Sequence, residues 1–79
     1  MLYNIYIMTE YKLIAEKLRS EVRINRYKGT IDDILSFVET NLLYESFVKT
    51  YNNLLSSNFH YYDALVNTYE ILKREVDKR

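Results

Sequence analysis

Apolar residues return every three or four positions along this chain, a recurrence that predicts helix over most of its length. Tyr11, Ile14, Ala15, Leu18 and Val22 share one face of a helix over about 9–28. Thr9 is its N-cap, Glu10 lies in its first turn, and Arg26 and Lys28 complement the negative end of its dipole. Ile31, Ile34, Leu35, Val38 and Leu42 make a second stripe, and Thr30 with Asp33 three residues on can form a capping box where the helix restarts. Beyond Leu42 the stripe moves to the opposite side of a straight helix, through Tyr44, Phe47, Val48, Tyr51, Leu54 and Leu55. Either the helix breaks near Thr40–Asn41, or one long helix meets different neighbours with its two halves. Asn41 is a competent cap and favours the break, giving helices over 31–40 and 42–56. Asn58 or Ser57 caps a last helix over 59–77, where Tyr62, Leu65, Tyr69, Leu72 and Val76 follow heptad steps. Residues 1–8 alternate loosely, Tyr3, Ile5 and Ile7 against Asn4, Tyr6 and Met8, and read as a weak strand or an extended apolar arm lying on the core.

Composition sharpens this picture. The chain contains one glycine, Gly29, with no proline and no cysteine. Tight turns and phosphate-cradling loops need residues that tolerate positive φ, and Gly29 fits the left-handed position that closes the first helix. The expected fold is all-α: one domain over 1–79, a small antiparallel bundle of three to four helices with a short extended N-terminal arm. Short connections make consecutive helices antiparallel neighbours. A chain of this size buries only about 60% of its unfolded surface. Without cysteine, neither a disulfide nor a cysteine-ligated zinc can reinforce it. Nine tyrosines and three phenylalanines leave two routes to stability, dense aromatic packing and self-association.

Formal charge is zero, which argues against a dedicated nucleic-acid binder. The distribution is less even: residues 1–28 hold six Lys/Arg against three Glu, while residues 29–60 hold only Lys49 against Asp32, Asp33, Glu39 and Glu45. The opening MLYNIYIM lacks a basic region and is too short for a signal peptide. No later stretch approaches the roughly twenty apolar residues of a membrane span. A cytoplasmic chain is expected, in the host cytoplasm if the source is viral.

Most catalytic chemistries lack their residues. Nucleotide loops of the Walker or dinucleotide type need several glycines at fixed spacing. His60 and Asp63 stand at helical i, i+3 spacing, but two ligands do not hold a metal, and the histidine reads as a cap or surface residue. Asp32 and Asp33 point about 100° apart on a helix and are poorly placed to share a proton. No catalytic, cofactor-binding or metal-binding residue, no cofactor and no small-molecule substrate is expected, and the chain does not read as an enzyme.

Two surface features remain. Lys12, Arg19, Arg23 and Arg26 fall within a narrow arc of the first helix, interrupted by Glu16. They read as a solvated face or as a contact for nucleic acid or an acidic partner. Leu13, Ile24 and Tyr27 lie roughly 120–200° from the centre of that helix's apolar face. The first helix is therefore either sandwiched within the bundle or in contact with another chain.

The stretch Tyr11-Lys12-Leu13-Ile14-Ala15-Glu16-Lys17-Leu18-Arg19-Ser20-Glu21-Val22 resembles the first helix of GntR-type winged-helix repressors. The resemblance ends at Lys28, because the Pro-Gly turn and the glycine-bearing wing of that fold are missing, and it carries no function across. The reading that follows from the residues is a small helical interaction or regulatory protein. It acts through protein–protein contacts at Leu13, Ile24 and Tyr27 and self-associates. Its richness in Asn, Ile, Lys and Tyr is of the kind seen in phage, plasmid and virus accessory proteins. The alternative is a DNA-binding regulator using the basic face of the first helix.

Overall fold

The described residues form four helices and no strand: α1 (Leu2–Glu21), α2 (Asn25–Thr40), α3 (Tyr44–Ser56) and α4 (Tyr61–Asp77). The computed structural model describes residues 2–79, with side chains from residue 5 onward. The all-α bundle expected from the periodicity is therefore the fold. Its boundaries differ from expectation in ways that have physical causes.

Residues 2–8 of the expected extended arm are helix, and residue 1 lies outside the described residues. Ile7 stands four residues before Tyr11 and seven before Ile14, so it prolongs their face and packs against the core. Thr9 accordingly lies inside α1 and does not cap it. At the other end α1 stops at Glu21, not near Lys28, and Val22, Arg23 and Ile24 carry the reversal. Val22 and Ile24 are β-branched and weak helix formers, and Ile24 is extended (φ −79°, ψ 119°) as it leads into α2. Turning here places both Val22 and Ile31 in the core, at 3% and 1% exposure. Seven more helical residues would have displaced the turn by about 10 Å.

Gly29 and Thr30 consequently sit inside α2 and do not form the junction. Gly29 has no positive φ, and Thr30 Oγ1 donates to the Arg26 carbonyl at 3.3 Å. The left-handed positions fall to Leu42 (φ 55°) and Asn58 (φ 70°). Each closes a helix in a Schellman motif. After α2, Leu43 N–H reaches the Val38 carbonyl at 2.9 Å and Leu42 N–H the Glu39 carbonyl at 3.3 Å. After α3, Phe59 N–H reaches Leu54 at 3.1 Å and Asn58 N–H reaches Leu55 at 3.0 Å. The break at Thr40–Asn41 thus exists, and Asn58 ends α3. The cap of α4 is His60, whose Nδ1 accepts from Tyr62 N–H at 3.3 Å.

The single glycine therefore stands where a helix former would serve better, while a leucine occupies a glycine position. A β carbon at residue 29 would meet nothing within 4 Å, and Leu42 is 75% exposed, so neither substitution disturbs packing. Gly29→Ala and Leu42→Gly are each expected to raise stability by about 1 kcal/mol. The two sites lie about 20 Å apart along α2, so the double variant should sum the gains. Urea denaturation followed by circular dichroism measures this, and a loss of stability in Leu42→Gly would contradict the left-handed assignment.

The helices assemble as two hairpins. α1 and α2 run antiparallel, since Tyr11 meets Leu35 and Glu39 while Arg19 meets Asp32. α3 and α4 form the second hairpin through the short turn at Ser57–His60. Aromatic contacts join the hairpins. Tyr11 of α1 meets Tyr44 and Phe47 of α3 edge-on, with ring centroids 4.9 and 5.6 Å apart. Phe37 of α2 meets Tyr69 of α4 at 5.2 Å, and Tyr27 stacks on Tyr62 at 4.1 Å. Across these seams α1 and α3, and likewise α2 and α4, point the same way. The antiparallel expectation for consecutive helices holds at all three connections, and the parallel packing is between the non-consecutive pairs. The backbones of α1 and α4 do not approach one another among the described residues, so α1 packs chiefly against α2 and α3.

The core follows the expected stripes except at Leu42 and Leu55, which are exposed. Tyr11, Ala15, Leu18 and Val22 of the first stripe, Ile31, Ile34, Leu35 and Val38 of the second, and Phe47, Val48, Tyr51, Leu65 and Leu72 of the later ones are buried. Leu42 was expected beside Val38, but its left-handed backbone turns it to solvent, and Leu43 is buried instead. Thr68 also lies fully buried on α4, its hydroxyl without a hydrogen-bond partner among the described residues. A hydroxyl so placed costs about 1–3 kcal/mol relative to a methyl group.

Candidate interaction surface

Because α1 is covered on only two sides, part of its circumference has no neighbour. Tyr11, Ala15 and Leu18 mark the covered face. About half a turn away stand Tyr6 and Leu13, which are 73% and 61% exposed. These two residues are seven apart, so they lie one above the other along the helix, and Ser20 continues the row. Tyr6 was absent from the expected interface because residues 1–8 read as an arm. Once those residues are helical, its heptad spacing to Leu13 is the signal that places it.

The other expected contact residues are not on this face. Ile24 precedes α2 in the connection and is 52% exposed at one end of the molecule. Tyr27 lies on α2, half-buried, its ring stacked on Tyr62 within the fold. The helical-wheel relation between Leu13 and these two fails because α1 ends before it reaches them. Leu13 alone of the three stays on an open face of α1.

The basic row divides for the same reason. Lys12 is exposed on α1. Arg23 belongs to the connection, and Arg26 belongs to α2, where its guanidinium lies 5.2 Å over the Tyr27 ring. Arg19 is engaged inside the hairpin, with Nε 3.4 Å from Asp32 and a terminal nitrogen 3.7 Å from Glu39. Glu39 in turn accepts the Tyr11 hydroxyl at 2.6 Å. These four side chains form a polar clasp between α1 and α2. Its ion pairs are half-exposed and individually worth roughly 0–1 kcal/mol. Burial first, and then the hydrogen bond to the Glu39 carboxylate, push the Tyr11 hydroxyl well above the ordinary tyrosine range. Burial also raises Tyr51.

A groove of about 500 Å³ runs between α1 and α3, lined by Ile14, Leu18, Val22, Tyr51, Leu55 and Tyr61, with Lys17, Glu21 and Asn52 at its edges. It adjoins the open face of α1 through Lys17 and Ile14. Nothing in the sequence had joined these residues, because α1 and α3 meet only through the parallel packing of the hairpins. His60 is an exposed cap, and no group of metal-ligating side chains gathers among the described residues. No helix among them is long and apolar enough to cross a membrane. The chain matches no protein-family model, no curated protein and no solved structure.

Proposed function

We propose that this chain is a small, non-enzymatic helical interaction protein of regulatory type, acting through protein–protein contacts and forming a homodimer through the outer face of α1. One observation carries the reading: in the middle of a twenty-residue helix whose opposite face is buried, Leu13 is 61% exposed, one heptad from the still more open Tyr6. Apolar side chains aligned on one unpartnered helix face are the ordinary chemistry of a helix-mediated contact. The expected setting is that of a phage, plasmid or virus accessory protein. The DNA-binding alternative has less support, since the four cations it needs are shared among α1, the connection and α2, and Arg19 is already paired.

Size-exclusion chromatography with light scattering tests the reading. The wild-type chain is expected to run as a dimer at tens of micromolar, and Leu13→Glu as a folded monomer, because a charge on the contact must be desolvated. A wild-type chain that stays monomeric at millimolar concentration overturns it. So does a dimer that Leu13→Glu leaves intact.

A further inference from the structure

We infer that two copies pair with their α1 helices antiparallel, about a two-fold axis that passes beside Leu13. This deepens the reading above and rests on it, adding the register and direction of the contact.

The row Tyr6, Leu13, Ser20 is spaced by heptads and is centred on Leu13. One flank of the row carries Glu10 and Lys17, three residues before Leu13 and four after it. The other carries Thr9 and Glu16, four before and three after. All four are exposed, and no ion pair is formed by Glu10, Glu16 or Lys17 among the described residues. A dyad that reverses one helix against the other sets each residue before Leu13 at the height of one as far after it, to within one residue (about 1.5 Å) for the flanking side chains. It also keeps like flanks together. Glu10 then faces the partner's Lys17, and Lys17 faces the partner's Glu10. Thr9 faces the partner's Glu16, within reach of a hydroxyl-to-carboxylate hydrogen bond.

The apolar row is self-complementary in the same register. Leu13 meets the partner's Leu13, and the large Tyr6 ring covers the small Ser20 of the partner subunit at both ends. A parallel pair would set Tyr6 on the partner's Tyr6 and leave Ser20 facing the partner's Ser20, which wedges one end apart and opens a void at the other. It would also align the two helix dipoles, which the antiparallel pair opposes. Shape, charge and dipole therefore select one arrangement. The contact is isologous, as a closed dimer requires.

The absence of cysteine from the chain makes the register directly testable. Leu13→Cys is expected to cross-link to itself under mild oxidation. A mixture of Tyr6→Cys and Ser20→Cys chains, distinguished by a size tag, is expected to cross-link as the heterodimer, since a disulfide needs β carbons about 4 Å apart. Lys17→Glu should weaken dimerisation roughly tenfold by turning two attractive pairs repulsive, and Glu10→Lys added to Lys17→Glu should restore it. Circular dichroism checks that each variant keeps its helix content. Predominant self-cross-linking of Tyr6→Cys, or a charge-swapped double variant weaker than Lys17→Glu, overturns the antiparallel register while the wild-type dimer still stands. A monomeric wild-type chain removes the underlying reading, so the two failures are distinct.

Discussion

Truncating Phe47 to alanine is expected to destabilise the fold by about 3–5 kcal/mol. Phe47 is fully buried on α3. Its ring takes the edge of Tyr11 from α1 at 5.6 Å and stacks along Tyr51 at 5.6 Å with planes only 7° apart. Removing it takes away its own burial, leaves a cavity, and unseats two neighbouring rings that each contribute a further packing term. It also cuts the seam by which the two hairpins hold together. A chain of this length has a total stability of roughly 4–12 kcal/mol, so the variant should be largely unfolded or reduced to loosely associated helices at room temperature. Urea denaturation monitored by circular dichroism measures the loss. Leu55→Ala on the same helix is the control: Leu55 is 37% exposed and its truncation should cost far less. A Phe47→Ala variant no less stable than that control would contradict the aromatic seam.

The second large effect is an alkaline transition. The Tyr11 and Tyr51 hydroxyls are raised above the usual tyrosine value, chiefly by burial and, for Tyr11, by donation to the Glu39 carboxylate. In the unfolded chain a tyrosine loses its proton near pH 10, while in the folded chain these two hold theirs. Above that pH the unfolded state binds fewer protons than the native state, so stability falls as pH rises. Below it the contribution is fully present. Each tyrosine can add a slope of up to about 1.4 kcal/mol per pH unit, approached where the unfolded hydroxyl has ionised and the native one still holds its proton. Denaturation midpoints at pH 8, 10 and 11 should trace the decline. Tyr11→Phe keeps the ring against Tyr44 and Phe47 but has no proton to lose, and the slope should become shallower with it. An undiminished slope in that variant would place the titration elsewhere.

Much of this fold was legible in the residue pattern, and the reasons are local. Ile31, Ile34, Leu35 and Val38 recur at the spacing of one helix face and are buried on α2, and Leu65 and Leu72 do the same on α4. The shift of stripe at Thr40–Asn41 correctly marked a break, because no straight helix can turn two opposite apolar faces to one core. What misled was the assignment of turns by residue type. Gly29 can adopt a left-handed conformation but is not obliged to, and within α2 it does not. Leu42 accepts that conformation because the reversal buries Leu43 and Val38 on either side of it. The candidate contact was half legible for the same reason. Leu13 was visible as an apolar residue on the wrong face, while Tyr6 was hidden by the arm reading, and Ile24 and Tyr27 were grouped with it by continuing α1 past its true end.

The sequence by itself determined that this chain is helical, where its main buried stripes lie and that residue 13 sits opposite one of them. These follow from the fixed geometry of a helix, in which spacing alone decides which side chains share a face. Only the tertiary structure decided that the hairpins meet in parallel through Tyr11, Phe47, Phe37 and Tyr69, that α1 lacks a neighbour on its outer side, and that the basic row is divided among three segments. Those facts depend on which burial can be satisfied together when four rods share one small interior. No local spacing encodes that choice.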